Sequence, residues 1–136
     1  MWMQLRVLAA LAVLVSAGVH LKLWFDGVRD QTVGGPFLLN AIGGAVIAVL
    51  LLTWRHWVPP FLALGFGLST IAAFTIAATV GLLGDHEKWT GGYVWTALIA
   101  EAVAVVAGGL LLLHDNPLRS RGELENWPSV RRAHLN

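Results

Sequence analysis

Four long apolar segments restrict what this chain can fold into more than any other feature of the sequence. They run from about Met3 to Phe25, Pro36 to Trp54, Pro59 to Leu83 and Gly92 to His114. As α-helices these segments would be about 28 to 37 Å long, and the hydrocarbon core of a bilayer is about 30 Å thick. The sequence therefore predicts four transmembrane helices.

The composition of the chain agrees with a bilayer as its main partner. Of the 136 residues, 57% are hydrophobic and only 12% are charged, whereas soluble domains average about 25% charged residues. The net charge of +1 provides no concentrated basic face for a nucleic acid. The absence of cysteine excludes disulfides and thiolate metal sites.

The linkers between the apolar segments are short, polar and rich in glycine or proline. Short linkers make successive helices antiparallel, which predicts an all-α, up-down-up-down four-helix bundle over residues 1–114. Residues 115–136 are rich in charged side chains and form a predicted cytoplasmic tail.

The first segment also has features of a cleaved signal peptide. It combines a basic start, an apolar run and a small-residue "VSA" ending at Ala17. The apolar stretch continues through Leu23 and Phe25, so we interpret it as a retained first helix.

Lysine and arginine near the helix ends predict the orientation of the bundle. Cytoplasmic loops carry an excess of these residues. Six arginines fall on the side of the termini and three basic residues on the other, which predicts an inner or plasma membrane protein with both termini in the cytoplasm. The six are Arg6, Arg55, Arg119, Arg121, Arg131 and Arg132, and the three are Lys22, Arg29 and Lys88.

Three polar residues lie inside the apolar segments and are candidates for a functional site. Glu101 is the only carboxylate within any of the four segments, and a charge at that depth costs at least about 2.5 kcal/mol. His20 and Asn40 lie at related depths on two other helices. We predict an intramembrane polar site formed by His20, Asn40 and Glu101. The alternative is that His20 and Asn40 only hydrogen-bond neighbouring helices, which contributes about 0.6 to 2 kcal/mol.

A row of small residues on the third segment predicts close helix packing. Small side chains let two membrane helices approach closely, so this ridge is expected to contact another helix of the bundle or of a second copy. The ridge consists of Gly65, Ser69, Ala73, Ala77 and Gly81.

The second and fourth segments resemble each other weakly. Residues 38–52 align with residues 99–113, and the alignment pairs Asn40 with Glu101. This pattern suggests two helical hairpins related by an axis along the membrane normal, a parallel pseudo-repeat.

The histidines provide only weak candidates for a cofactor site. His20, His86 and Glu87 could contribute to a metal site on the outer side, but their spacing matches no metal-binding motif. Haem would need two facing histidines at one depth, and only His20 lies clearly inside the membrane. No motif for hydrolysis or phosphate binding is present, which favours a protein that is not an enzyme.

The stretch "AEAVAVVAGGLLLL" at residues 100–113 resembles a Glu-then-Gly-Gly-Leu stretch of the DoxX-like family of small four-helix bacterial membrane proteins. Some members of that family are linked to quinone-coupled oxidation of sulfur compounds. In this chain the stretch falls on the fourth segment, where that family has it on an earlier one. The resemblance therefore implies only that Glu101, Gly108 and Gly109 correspond to family residues, and it implies no catalysis.

Three functional interpretations remain open at this point. The favoured one is a non-catalytic accessory or partner-binding subunit of a membrane complex, in contact with another membrane protein or with a second copy. The second is a redox or quinone-linked subunit, and the third is a small proton-coupled transporter, each using His20, Asn40 and Glu101.

The predicted orientation can be tested by labelling single cysteines in intact cells. The chain has no natural cysteine, so Thr32→Cys and Ser120→Cys each introduce one reactive thiol. We expect an impermeant reagent to label the variant at position 32 and not the variant at position 120. The opposite pattern would show that both termini lie outside.

Overall fold

A computed structural model describes residues 1–81 and 91–116 of the chain. Four α-helices make up most of this part: α1 (Trp2–Phe25), α2 (Gly34–Thr53), α3 (Val58–Thr79) and α4 (Gly92–His114), with one 3-10 turn at Val28–Asp30. Each of the four is long and apolar enough to cross a membrane, and the described residues form no strand. The prediction of an all-α, four-helix membrane bundle is confirmed.

The helix boundaries agree with the apolar segments except at two ends. α2 begins two residues early, at Gly34, because Pro36 falls in the first turn, where a backbone N–H has no helical partner to lose. α3 ends at Thr79, earlier than expected, because Gly81 adopts a φ of +88° and leaves the helical conformation. The predicted end at Leu83 lies outside the described residues.

The helices are arranged in a ring in chain order, with antiparallel neighbours. α1 packs extensively on both α2 and α4, and α3 packs extensively on α4, whereas the contact between α2 and α3 is smaller. The beginning of α1 and the end of α4 lie at one end of the bundle, which we call the Arg6 end. The opposite end is the His20 end.

The interior of the bundle is built mainly from alanine and glycine. Small side chains bring helix backbones close together, which is how packing stabilises helices in lipid. The buried alanines come from all four helices: Ala9, Ala10, Ala12, Ala17, Ala41, Ala48, Ala63, Ala77, Ala97, Ala100, Ala104 and Ala107.

Three glycines mark the closest approaches between helices. A Cβ added at Gly44 would lie 2.8 Å from the Cβ of Ala17, which fixes the α1–α2 contact. At the α3–α4 contact, a Cβ at Gly67 would lie 2.7 Å from the backbone oxygen of Glu101, and one at Gly108 would lie 2.9 Å from the backbone nitrogen of Leu64. These positions leave no room for a larger residue.

The small-residue ridge of α3 enters the bundle only at one end. Gly65 and Ser69 are exposed, Ala73 is half-buried and Ala77 is buried, while Gly81 lies beyond the helix. Residues four apart are offset by about 40° around a helix of 3.6 residues per turn, so a row of this length winds across the α3 surface. The contact of the Gly65 end of the ridge with a second copy stays a prediction.

A buried arginine holds the Arg6 end together. Arg6 is only 5% exposed, and its guanidinium donates to the carbonyl oxygens of Leu51 (3.2 Å), Trp54 (3.1 Å) and His56 (3.1 Å), and to the carboxylate of Asp115. The last carbonyls of a helix have no partner within it. Arg6 therefore satisfies the end of α2 and ties it to α1 and to the end of α4.

Aromatic stacking surrounds this arginine. His114 stacks on Trp2 with ring centroids 3.8 Å apart, and its Nδ1 lies 2.9 Å from Asp115 Oδ1. His56 stacks on Trp54 at 4.9 Å. Such amphipathic rings are typical of the boundary between hydrocarbon and water, which places Arg6 just inside that boundary.

Neighbouring glycines provide a matched test of the helix contacts. Gly44→Ala should lower stability by about 1 to 3 kcal/mol, because the new methyl group forces α1 and α2 apart. Gly43→Ala should be neutral or gain up to about 1 kcal/mol, because nothing lies within 4 Å of its Cβ and alanine favours the helix. Denaturation in detergent, followed by circular dichroism, measures both. Equal stability of the two variants would contradict the α1–α2 contact.

The role of Arg6 can be separated from that of surface charge. Arg6→Met should lower stability by about 1 to 3 kcal/mol, because it removes a donor shared by three carbonyls and leaves Asp115 without its ion pair. Arg55→Met removes an exposed arginine at the same end of the bundle and should have little effect. The same denaturation assay applies. An Arg6→Met variant as stable as the natural protein would refute the role of Arg6 in holding these helix ends together.

Candidate functional site

Glu101 lies on the buried face of α4, among small residues. The residues of α4 that are buried recur at helical spacing: Ala97, Ala100, Glu101, Ala104, Ala107, Gly108 and Leu111. A carboxyl within this stripe must point into the bundle rather than into lipid. Glu101 is accordingly 1% exposed, which agrees with the inward orientation expected from the energetic cost of a charge at this depth.

Ser16 of α1 provides a hydrogen bond to this carboxyl. Its Oγ donates to Glu101 Oε1 at 2.9 Å, and Ser16 itself is completely buried. Within residues 1–81 and 91–116, Glu101 forms no ion pair, and Ser16 is the only side chain that hydrogen-bonds its carboxyl. One neutral hydroxyl is a small compensation for a negative charge in a low-dielectric interior.

The surroundings of Glu101 therefore restrict its chemistry. A carboxylate without a countercharge is expensive in such an interior, whereas a carboxylic acid can hold its proton and still accept from Ser16. The site can accommodate a neutral acid as the structure stands. It accommodates the ionised form only with a partner that compensates the charge.

His20 lies one turn beyond Ser16 on α1 and contacts it directly. The Nδ1 of His20 lies 2.8 Å from the backbone oxygen of Ser16 and 3.5 Å from its Oγ. A carbonyl oxygen can only accept, so Nδ1 carries the proton in this contact and Nε2 carries the lone pair. The imidazole packs against Phe37 of α2, with ring centroids 4.9 Å apart.

Asn40 forms a separate polar contact between α2 and α3. Its Nδ2 donates to Thr70 Oγ1 at 2.9 Å, and the Thr70 hydroxyl donates in turn to the backbone oxygen of Phe66 at 2.8 Å. The Oδ1 of Asn40 is buried and has no hydrogen-bond donor within the described part of the chain. Asn40 thus bridges α2 and α3, which pack less extensively than the other neighbouring helices of the ring.

Helix contacts place these residues in two adjacent layers. The contacts of Gly44 with Ala17 and Phe66, and of Gly67 with Glu101, put Ser16 and Glu101 in one layer with both glycines. A second layer lies one turn away, about 6 Å towards the His20 end. This second layer contains His20, Asn40 and Thr70.

The structure therefore joins two of the three predicted site residues. His20 and Glu101 are connected through Ser16 on the α1–α4 side of the bundle. Asn40 shares the layer of His20, but its hydrogen bond goes to α3 on the other side. A groove of about 440 Å³ on the α3–α4 surface is apolar, and none of the three residues lines it.

Two polar residues of this region were not predicted from the sequence. In the sequence Ser16 stands out only as part of the signal-peptide ending "VSA", although its spacing of four residues from His20 places both on one face of a helix. Thr70 was not distinguished from the other threonines of α3. The feature that identifies Thr70 is its depth in the bundle, which matches the depth of Asn40 on the preceding antiparallel helix.

The surface at the His20 end of the bundle carries charged and aromatic side chains. Lys22 forms a 2.6 Å ion pair with Asp26, one turn further along the chain, and its Nζ lies 5.3 Å from the centre of the Tyr93 ring. Both partners of the ion pair are about half exposed. This surface agrees with a helix end that reaches water.

The metal and haem candidates stay predictions. Among the residues that the structure describes, no group of three or more His, Asp or Glu side chains could hold a metal ion. His86 and Glu87 lie outside the described residues.

Comparisons with known proteins add no family to this picture. No family model, curated protein or solved structure matches the chain. The resemblance to the DoxX-like family stays a prediction. Of the residues that carry it, Glu101 is in the polar layer, Gly108 is at the α3–α4 contact, and Gly109 is half-buried with open space at its Cβ.

Proposed function

We propose that this small integral membrane protein binds and releases a proton at Glu101. The observation that carries the proposal is a completely enclosed carboxyl with one neutral hydrogen-bond donor and no ion pair among the described residues. In such a place the free energy of the ionised form depends strongly on burial and on nearby charges and hydrogen bonds. The state of Glu101 will therefore respond to anything that changes its surroundings.

A purely structural role explains this glutamate poorly. A leucine would fill a similar volume without the desolvation cost of a carboxyl, and replacement of buried polar groups by apolar ones is often neutral or stabilising. Titratable groups inside membranes are characteristic of proton relays and of ion or substrate pathways. The adjacent Ser16 and His20 are residue types that can donate and accept protons.

A role as an accessory subunit and a role as a proton-coupled transporter both accommodate this site. The lack of any catalytic motif in the sequence supports the accessory role. The Glu101–Ser16–His20 chain supports a site that responds to protons in either setting. We therefore propose proton binding at Glu101 whichever of these roles the protein has. The accessory subunit remains the favoured role, and the redox or quinone-linked subunit remains an alternative.

Infrared titration of the reconstituted protein tests the proposal. The carbonyl stretch of a protonated carboxyl should disappear reversibly as pH rises from about 4 to about 10, and this component should be absent from Glu101→Gln. The glutamine variant should retain its helices, because its side-chain oxygen can still accept from Ser16. Asp26→Asn, which changes an exposed carboxyl, should leave the component unchanged. A Glu101 signal that does not change with pH would refute the proposal.

Stability provides a second readout of the same site. Glu101→Leu should be at least as stable as the natural protein, because it removes a buried polar group and adds apolar contacts. A loss of several kcal/mol in this variant would show that the carboxyl is a structural element. Detergent denaturation followed by circular dichroism measures the difference.

A further inference from the structure

We infer that Glu101 exchanges its proton with one side of the membrane only, the side of the His20 end, through Ser16 and His20. The inference rests on the proposed proton binding at Glu101 and adds the route and its direction. It follows from a contrast between the two halves of the bundle. Within the described residues, polar groups lead from Glu101 towards the His20 end, and apolar side chains fill the bundle between Glu101 and Arg6.

The polar route from Glu101 to His20 consists of two contacts, both through Ser16. Glu101 Oε1 is 2.9 Å from Ser16 Oγ, and Ser16 Oγ is 3.5 Å from His20 Nδ1. His20 is half-buried, and Lys22, two residues further along α1, is half exposed. Ser16 and His20 are four residues apart, so the route rises by about 6 Å along α1 towards the helix end.

The observed hydrogen bonds define how a proton can move along this route. The Nδ1–H of His20, which donates to the Ser16 backbone oxygen in this structure, turns to the Ser16 hydroxyl 3.5 Å away and gives its proton to Oγ, while the hydroxyl of Ser16 gives its own proton to the carboxylate of Glu101. His20 Nε2, which carries the lone pair, takes a proton from water at the His20 end. Three bonds break, namely the N–H bond at Nδ1, the O–H bond of Ser16 and one O–H bond of a hydronium ion in the solvent, and three bonds form, at Oγ, at the carboxyl and at Nε2. The net change is one proton moved from water to Glu101.

The opposite half of the bundle offers no comparable route. Between the Glu101 layer and the Arg6 end, residues 7–15, 45–52, 58–66 and 102–113 contain no polar side chain. Several interior side chains there are at most 2% exposed: Val13, Ala48, Leu51, Ala63, Ala104 and Leu111. This apolar block is about 15 Å thick, the rise of ten helical residues between Arg6 and Ser16. Close packing of this kind excludes the water that a proton would need.

Arg6 does not provide an entry from its own end. Both terminal nitrogens of its guanidinium are engaged, with three backbone carbonyls and Asp115. An arginine also does not lose its proton in a protein. It cannot pass a proton towards Glu101, and it holds the surrounding helix ends closed.

Few titratable groups face Glu101 from the helices around it. α2 and α3 contain no titratable side chain along Gly34–Thr53 and Val58–Thr79. α1 contributes His20 near the site, with Arg6 and Lys22 at its two ends, and α4 contributes Tyr93 and His114 near its own ends. His20 is therefore the titratable residue of these helices that is positioned to relay a proton to Glu101.

This geometry makes Glu101 a one-sided proton acceptor rather than a channel. A proton that enters from the His20 end must leave by the same end unless the apolar block opens. A change of pH on that side alters the charge inside the bundle, whereas a change on the other side does not. The structure therefore points to a site that reports conditions on one face of the membrane.

The direction of access can be measured with a membrane-soluble carbodiimide, which modifies protonated carboxyl groups. Right-side-out and inverted vesicles containing the full chain are loaded with strong buffer, the external pH is changed, and labelling of Glu101 is taken as the difference from Glu101→Gln. We expect external pH to control this labelling in one vesicle type only, the one with the His20 end outside. The exposed end is identified by impermeant labelling of Thr32→Cys.

Every other outcome of this labelling experiment contradicts either the one-sided route or proton binding at Glu101 itself. Control by external pH in both vesicle types, or only in the type with the Arg6 end outside, overturns the one-sided route. Control in neither type also overturns it, provided that vesicles equilibrated at two pH values differ in labelling. If equilibrated vesicles do not differ, the proposed function itself fails, so the two failures are distinguishable.

Hydrogen–deuterium exchange at the Glu101 carboxyl tests the relay residues. After transfer of proteoliposomes into heavy water, Ser16→Ala and His20→Gln should each slow the shift of the carbonyl stretch on the order of a hundredfold, the usual contribution of a positioned acid or base. Ser69→Ala removes an exposed hydroxyl and should leave the rate unchanged. Exchange as fast in His20→Gln as in the natural protein would overturn the assigned route even if Glu101 titrates as proposed.

Discussion

The cost of exposing the Glu101 carboxyl to lipid is the constraint on which the orientation of α4 in this bundle depends, and the carboxyl meets Ser16 of α1 in the interior. The hydrogen bond between the two residues joins the first and last helices at the middle of the membrane, where water cannot satisfy a polar group. An inward-facing Glu101 requires α4 to turn its alanine-rich face towards α1, and the same face then receives α3. The position of one carboxyl thus sets the rotation of α4 and, through it, the packing of its neighbours.

Small residues let the neighbouring helices pack closely around this carboxyl. Gly67 lets α3 approach the backbone of Glu101 directly, and Gly44 does the same for α2 and α1 in the same layer. A larger residue at either position would hold the helices apart and admit lipid or water beside the carboxyl. The glycines therefore control the dielectric surroundings of Glu101 as well as helix packing, and this connects the fold to the proposed chemistry.

The sequence predicted those features that follow from the bilayer and missed those that depend on rotation and partners. Segment length predicted the four helices, and the cost of a charge in lipid correctly predicted that Glu101 faces the interior of the bundle. Ser16 was overlooked because a lone serine in an apolar run is inexpensive in any orientation. Arg6 was interpreted only as an indicator of orientation, because its three carbonyl acceptors become visible once α2 and α4 are placed. The ridge on α3 was expected to face one neighbour, but its winding brings only Ala77 into the bundle.

The two buried ionisable groups of the bundle differ in how completely they are satisfied, and this difference separates structure from function. Arg6 has four acceptors, including a carboxylate, so any change in its surroundings costs free energy and its charge is fixed. Glu101 has one neutral donor among the described residues, so neither protonation state is strongly held by its partners. Hydrogen bonds to four acceptors therefore constrain the Arg6 end, whereas the Glu101 carboxyl in the middle is held by one hydroxyl. We therefore expect any functional change of conformation to begin where α1, α2 and α3 meet around His20 and Asn40.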